Sequence, residues 1–297
     1  MDGSVEFEPR ARHVDLPSRG GAMAVLDFGS PERPVDVVFC HANGFNARTY
    51  RSILAPLAAS MRLLAVDMRG HGASTLPAVV EGREGWPEFR DDLIALLRSE
   101  TEGAVVLAGH SMGGTTCLLS AATAPDSARR LVLFDPVFFD PKRAASGESN
   151  PLADGAERRR AVFPDKAAAV AAYSGRGAFR TWSAEQLADY VEAGFRETET
   201  GEVTLTCAPA WEASNFRTHN YDPFQALRDV RCPVRMLRAE IASTARIDEH
   251  RAEVDANPRL RHETVPGTSH FLPMERPERV RMALRDAVEA ATSPSPI

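Results

Sequence analysis

Hydrophobic residues fall along this chain in two alternating rhythms. Short apolar runs at 35–40, 62–66, 104–108 and 131–134 are nearly continuous and rich in β-branched residues. Runs of that length suit strands buried on both faces. Between them apolar positions recur three and four apart. Ile53, Leu54 and Leu57 share one face of 50–59, and Phe89, Leu93, Leu96 and Leu97 share one face of 86–100. That spacing predicts helices with a single buried stripe. Residues 115–124 predict a third helix, built of small side chains. Ahead of all these, 5–16 and 21–28 predict a pair of strands joined by Pro17-Ser18-Arg19-Gly20. Strand and helix in alternation predict a parallel sheet with helices on both faces.

The rhythm breaks at residue 140. From there to 217 no clear buried strand is visible. Alanine-rich helices are expected at 166–173 and 184–193, and a short strand or extended piece at 202–207. The charge run Glu157-Arg158-Arg159-Arg160 predicts a solvated face. The sheet pattern then resumes with a helix at 222–230, a strand at 233–237, a helix at 246–256, a strand at 260–265 and a closing helix at 277–291. The expected organisation is a core domain of 1–139 and 218–297 carrying a helical cap of 140–217. The last residues, 292–297, are expected to fray.

Composition narrows the function classes. The chain has 297 residues, 43% hydrophobic and 26% charged, with a net charge of −6. That balance argues against a nucleic-acid partner, which calls for a basic face. No apolar stretch reaches about 18 residues, so no membrane span is expected. The first residues are acidic and lack the layout of a signal peptide, and the last are not a Ser-Lys-Leu-type address. Cys40, Cys117, Cys207 and Cys232 are widely spaced, with no C-x-x-C pair and no metal-ligand spacing. A reduced cytoplasmic protein without metal or cofactor is the expectation.

The chemistry concentrates at Gly109-His110-Ser111-Met112-Gly113-Gly114, between a strand and a small-residue helix. A strand–turn–helix of the form G-x-S-x-G lifts a serine above the carboxyl edge of a sheet. Ser111 is the expected nucleophile. The N–H of Met112 is expected as one oxyanion donor. Asn43, in His41-Ala42-Asn43-Gly44-Phe45, is expected as the other through its backbone N–H, with its side-chain amide also in reach of substrate. His270 follows the final strand behind Gly267 and is the expected base. His13, His71, His219, His250 and His262 lack such placement, while His41 and His110 are expected to hold loops. For the orienting acid, Asp135 at the end of the strand beside the nucleophile strand is favoured, with Pro136 after it. Glu240 is the alternative, then Asp248 and Asp140. Asp67 and Arg69 are expected to pair with or cap nearby loops.

Taken together, His41-Ala42-Asn43-Gly44, Asp67-x-Arg69-Gly70-x-Gly72-x-Ser74, Gly109-x-Ser111-x-Gly113 and Gly267-x-x-His270 resemble the α/β-hydrolase superfamily. The resemblance implies an α/β fold with a mostly parallel eight-stranded sheet, flanking helices and a helical cap inserted after the sixth strand. An acid in the position of Asp135 resembles haloalkane dehalogenases, some lactonases and some acyl-ester hydrolases. The His-Ala-Asn-Gly-Phe loop is similar to that of a branch with fungal peroxisomal lipases. Dehalogenases and epoxide hydrolases of this fold use an aspartate nucleophile, so Ser111 argues against both. The expected activity is hydrolysis of a small-molecule carboxylic ester through an acyl-enzyme. A thioesterase, a lactonase, a carbon–carbon bond hydrolase and a non-catalytic ligand-binding receptor are the alternatives. Phe138, Trp182, Trp211 and Phe216 are the expected pocket residues, with Phe139 and Phe195 as further candidates.

Overall fold

The computed structural model describes residues 8–139, 150–218 and 220–292. Asp140, His219 and the outer parts of both termini lie outside the described residues. The strands are β1 (Arg10–Leu16), β2 (Gly21–Phe28), β3 (Val37–Cys40), β4 (Leu63–Val66), β5 (Val105–His110), β6 (Ala128–Phe134), β7 (Val162–Phe163), β8 (Phe195–Glu197), β9 (Val203–Leu205), β10 (Val234–Ala239) and β11 (Leu260–Val265). Eight of them form one sheet in the order β1-β2-β4-β3-β5-β6-β10-β11. From β4 to β11 the neighbours run parallel, whereas β1 and β2 pair antiparallel at one edge. The fold is the α/β-hydrolase fold.

The apolar runs are the centre of this sheet. Val37, Val38, Phe39 and Cys40 are no more than 1% exposed, which explains why that run carries no polar alternation. Helices Trp86–Glu100, Met112–Thr123 and Pro223–Asp229 cover one face. Helices Arg51–Leu54 and Pro277–Thr292 cover the other.

Two expected helices are shorter than their periodicity suggested. In 50–59 the α-helix is only Arg51–Leu54, flanked by 3-10 turns at Ala47–Tyr50 and Ala55–Leu57. Pro56 removes a backbone donor there, and Asn46 caps the first turn by accepting from Thr49 N–H at 2.9 Å. In 246–256 the α-helix is Arg251–Ala256, after a 3-10 turn at Asp248–His250.

The segment 150–217 holds the expected helices, Lys166–Tyr173 and Ala184–Gly194, and the expected short strand as β9, but more besides. It holds a second sheet, β7-β9-β8, antiparallel throughout. Strands of two or three residues are too short to display a period in sequence. It also holds helices Pro151–Glu157 and Pro209–Arg217, each beginning with proline at a first-turn position. The segment's aromatics pack edge to face, with Phe163 against Phe195 and Tyr173, both at 5.6 Å. The helix Pro209–Arg217 is fastened to the core by indoles. Trp211 Nε1 donates to the Arg69 carbonyl at 3.0 Å, and Trp86 Nε1 donates to the Asn215 carbonyl at 3.0 Å. The charge run is not wholly solvated: Arg159 turns inward and pairs with Glu212 at 2.6 Å.

Candidate active site

Ser111 sits where β5 gives way to a helix, at φ 55° and ψ −123°. Positive φ in a serine is strained and persists only where the surroundings enforce it. The enforcement is close packing on glycine. A Cβ on Gly113 would lie 2.3 Å from the Cys40 carbonyl oxygen, and one on Gly109 would lie 2.5 Å from Gly113 backbone. No other residue type allows that approach. Ser111 N–H donates to the Phe134 carbonyl at 3.0 Å, so the turn is tied to the end of β6.

The next residue after β6 is Asp135, itself at φ 41°. Its backbone N–H donates to Leu237 on β10 at 2.7 Å, and its side chain is fully buried. Oδ2 faces His270 Nδ1 at 2.6 Å, and His270 Nε2 faces Ser111 Oγ at 3.0 Å. The structure therefore brings Ser111, His270 and Asp135 into one hydrogen-bonded line. Asp135 also accepts from Ala239 N–H at 2.8 Å, the Ser243 hydroxyl at 2.5 Å and Thr244 N–H at 3.0 Å. Burial alone would raise its carboxyl, but the bonds from His270, Ser243 and Ala239 outweigh that and hold it below the usual carboxylate range.

The alternative acids are placed elsewhere. Glu240 accepts from Gly267 N–H at 2.8 Å, bracing the loop of His270 without touching its ring. Asp248 is held by Arg238 in a two-pronged pair at 2.8 Å. Ser243 and Thr244 were missed as site residues. The turn after β10 has no aspartate, and this hydroxyl pair in its place is the signal that the turn serves a carboxylate from elsewhere.

Ser111, Met112, Asn43 and His270 line a cavity of about 1050 Å³. Among the described residues neither Asn43 N–H nor Met112 N–H has a hydrogen-bond acceptor. The Asn43 side chain, expected within reach of substrate, is also held by the protein. Its amide donates to the Glu212 carbonyl at 3.0 Å, and its oxygen accepts from Asn215 at 2.8 Å. His41 and His71 hold this loop from behind. His41 Nδ1 meets the Ala42 carbonyl at 2.7 Å, and Gly44 N–H donates to His71 Nε2 at 3.0 Å. Burial pushes both imidazoles down, His71 to about 4.

Of the four expected pocket residues only Phe216 lines the cavity. Phe138 is fully buried against Phe224, edge on at 5.4 Å. Trp211 lies beneath the Arg83 guanidinium at 3.9 Å and against Gly70, where a Cβ would come within 2.2 Å of its indole nitrogen. Trp182 packs edge on to Phe45 at 5.2 Å. Phe45, Phe139, Phe179 and Phe271 supply the aromatic wall instead. Phe195, the remaining candidate, is buried at the second sheet.

Residues 37–283 match the alpha/beta hydrolase family, and the chain belongs to it. Among curated relatives, the 2-(acetamidomethylene)succinate hydrolase of Mesorhizobium japonicum is 26% identical over 254 residues, covering 86% of this chain and 88% of that protein. A Mycobacterium tuberculosis protein named an esterase is 36% identical over 118 residues, covering 39% of this chain and 37% of that one. A crystal structure of E-2-(acetamidomethylene)succinate hydrolase superposes with a TM-score of 0.79 at 25% identity, covering 95% of this chain and 99% of that chain. Among the described residues no helix is long and apolar enough to cross a membrane, and no cluster of potential metal ligands occurs.

Proposed function

We propose that the chain hydrolyses a small, uncharged carboxylic ester by covalent catalysis at Ser111. The observation that carries this reading is the unbroken line from Ser111 Oγ through His270 to Asp135, with steps of 3.0 and 2.6 Å. His270 takes the hydroxyl proton as Oγ attacks the ester carbonyl. The oxyanion is held by the N–H groups of Asn43 and Met112. The proton passes from His270 to the departing alcohol, leaving an acyl-serine. Water, deprotonated by His270, then releases the acid and restores the hydroxyl. Asp135 keeps Nδ1 protonated and offsets the charge of the imidazolium. No step calls for a cofactor.

The cavity wall supports an uncharged substrate. Arg159, Arg217 and Arg246 line the cavity together with Asp154, Glu212, Asp248 and Glu249, and Arg246 lies over the Phe139 ring at 5.0 Å. Arg159 is closed by Glu212, and Arg217 by Asp154 and Glu157. A substituted succinate, the compound after which the near-full-length relative is named, carries negative charge and would compete with Glu212 for Arg159. The four cysteines are free and buried, in keeping with a reduced, cytoplasmic setting.

The test is Ser111→Ala against a panel of p-nitrophenyl esters, with acyl-CoA, lactone, vinylogous diketone and substituted succinate arms. Turnover of an ester is expected to fall by about 10⁴-fold or more with unchanged melting. Retained turnover, or wild-type activity confined to another arm, overturns the ester assignment.

A further inference from the structure

Two fully buried side chains behind the site, Tyr50 and His110, have no part in the steps above. His110 precedes the nucleophile in sequence, and Tyr50 lies in the turn before the helix Arg51–Leu54. The Tyr50 hydroxyl stands 2.8 Å from His110 Nδ1 and 3.2 Å from the Ala42 amide nitrogen. His110 Nε2 stands 2.7 Å from the backbone carbonyl oxygen of His270.

With a neutral His110 ring these contacts allow one arrangement of protons. Ala42 N–H has only a proton to give, so the Tyr50 oxygen accepts it. The single Tyr50 hydroxyl proton is then free for His110 Nδ1. A neutral ring accepting at Nδ1 carries its proton on Nε2, and that proton goes to the His270 carbonyl. Each group is satisfied and every donor faces an acceptor. Burial, and next the nearby His270, pulls the His110 imidazole down to about 3, while burial pushes the Tyr50 hydroxyl up. Both groups therefore stay neutral through the pH range in which an esterase works.

We propose that Tyr50 and His110 are positioning residues: a one-way hydrogen-bonded relay that sets the backbone of the general base His270 in register with the loop carrying the Asn43 oxyanion donor. The relay rests on the reading of Ser111 and His270 given above. It ties the loop after β11, whose strand stands three places from β5 in the sheet, to the end of β5 and to the loop after β3. His270 is approached on two sides, by Asp135 at its ring and by His110 at its backbone. An error of about 1 Å in such placement lowers turnover by up to about 100-fold, which is the scale on which the relay acts.

The test uses Tyr50→Phe, His110→Gln and the double variant, with p-nitrophenyl butyrate as substrate and a rhodamine-tagged fluorophosphonate as active-site probe. Tyr50→Phe keeps the ring and its packing but removes the hydroxyl. It is expected to lower kcat about 10- to 100-fold with KM little changed and to slow probe labelling by a similar factor. The double variant is expected to be no slower than the slower single variant, because the relay is already broken. Wild-type kcat, a change confined to KM, or effects that multiply in the double variant overturn the relay. Nitrogen-15 spectra of the wild-type histidines cover the case of a variant that does not fold: a neutral, Nε2-protonated His110 from pH 5 to pH 9 is expected, and an Nδ1-protonated or charged ring overturns it. Failure of the wild type to take the probe at Ser111 sinks the parent reading. Labelling of wild type and variants at one rate sinks the relay alone.

Discussion

Two parallel strands of this sheet end in a buried aspartate, and the two carboxylates have opposite characters. Asp67 follows β4 and Asp135 follows β6. Each backbone N–H is tied to a neighbouring strand, Asp67 to Ala24 at 2.9 Å and Asp135 to Leu237 at 2.7 Å. Each side chain accepts backbone N–H groups, Asp67 from Ala47 and Ala73, both at 2.8 Å. There the likeness ends. Burial raises the Asp67 carboxyl to about 6, since two amides offset only part of the loss of water. Asp135 is buried as deeply, yet its carboxyl is held down, because an imidazole and a hydroxyl join the amides. A strand end places a carboxylate; its partners decide whether it fastens a loop or meets an imidazole.

The largest effect should separate the two at once. Asp135→Asn removes the acceptor that fixes the His270 tautomer and should lower kcat by about 10⁴-fold. Asp67→Asn alters only loop fastening and should leave kcat near that of the unaltered chain. Both are measured on the ester that wild type turns over fastest. A collapse in Asp67→Asn with Asp135→Asn unaffected would reverse the proposed roles of the two carboxylates.

This contrast was partly legible in the sequence. Asp135 ends an apolar run and precedes proline, one strand beyond the Ser111 turn. Asp67 lies amid glycines and reads as a loop fastener. The parallel strands were legible for the same reason: burial on both faces leaves a continuous apolar run. Ser111 and His270 meet across 159 positions, and strand order alone sets both at one sheet edge. The wall of the cavity was not legible. Trp211 and Phe138 are large and apolar, as pocket residues are, but sequence does not say which side of a buried ring faces a void. Arg159 reads as solvated because its partner Glu212 is 53 positions away. Likewise, nothing local reveals that the Asn43 amide is bound by a helix lying some 170 residues beyond it, at Glu212 and Asn215.

A second way to sharpen the comparison is pH. The folded-state carboxyl of Asp67 is raised, so its contribution to stability is fully present below the ordinary value of 3.8 and is lost as pH rises through about 6. Asp135 has the opposite sign: its contribution is present above the ordinary value and is lost as pH falls through its lowered folded value. The difference in unfolding free energy between wild type and Asp67→Asn should therefore shrink by about 1–2 kcal/mol from pH 5 to pH 7.5. Urea unfolding of both proteins at the two pH values measures it. A difference that stays flat or grows with pH would show that Asp67 is not raised.

The smallest effect probes what holds Asp135 down. Ser243 donates to Oδ1 at 2.5 Å while its oxygen accepts Ala245 N–H at 3.1 Å, so it links the carboxylate to the turn after β10. Ser243→Ala removes that donor but leaves Ala239 N–H and Thr244 N–H in place. One bond to a charged acceptor is lost, and only part of its worth is felt as the imidazolium forms. A drop in kcat of about 3- to 10-fold with KM unchanged is the expected outcome of steady-state kinetics. A loss as large as that of Asp135→Asn would mean that the hydroxyl itself orients the base. No loss at all would mean that the backbone amides and the Thr244 hydroxyl suffice, leaving His270 and Thr244 to set Asp135 apart from Asp67.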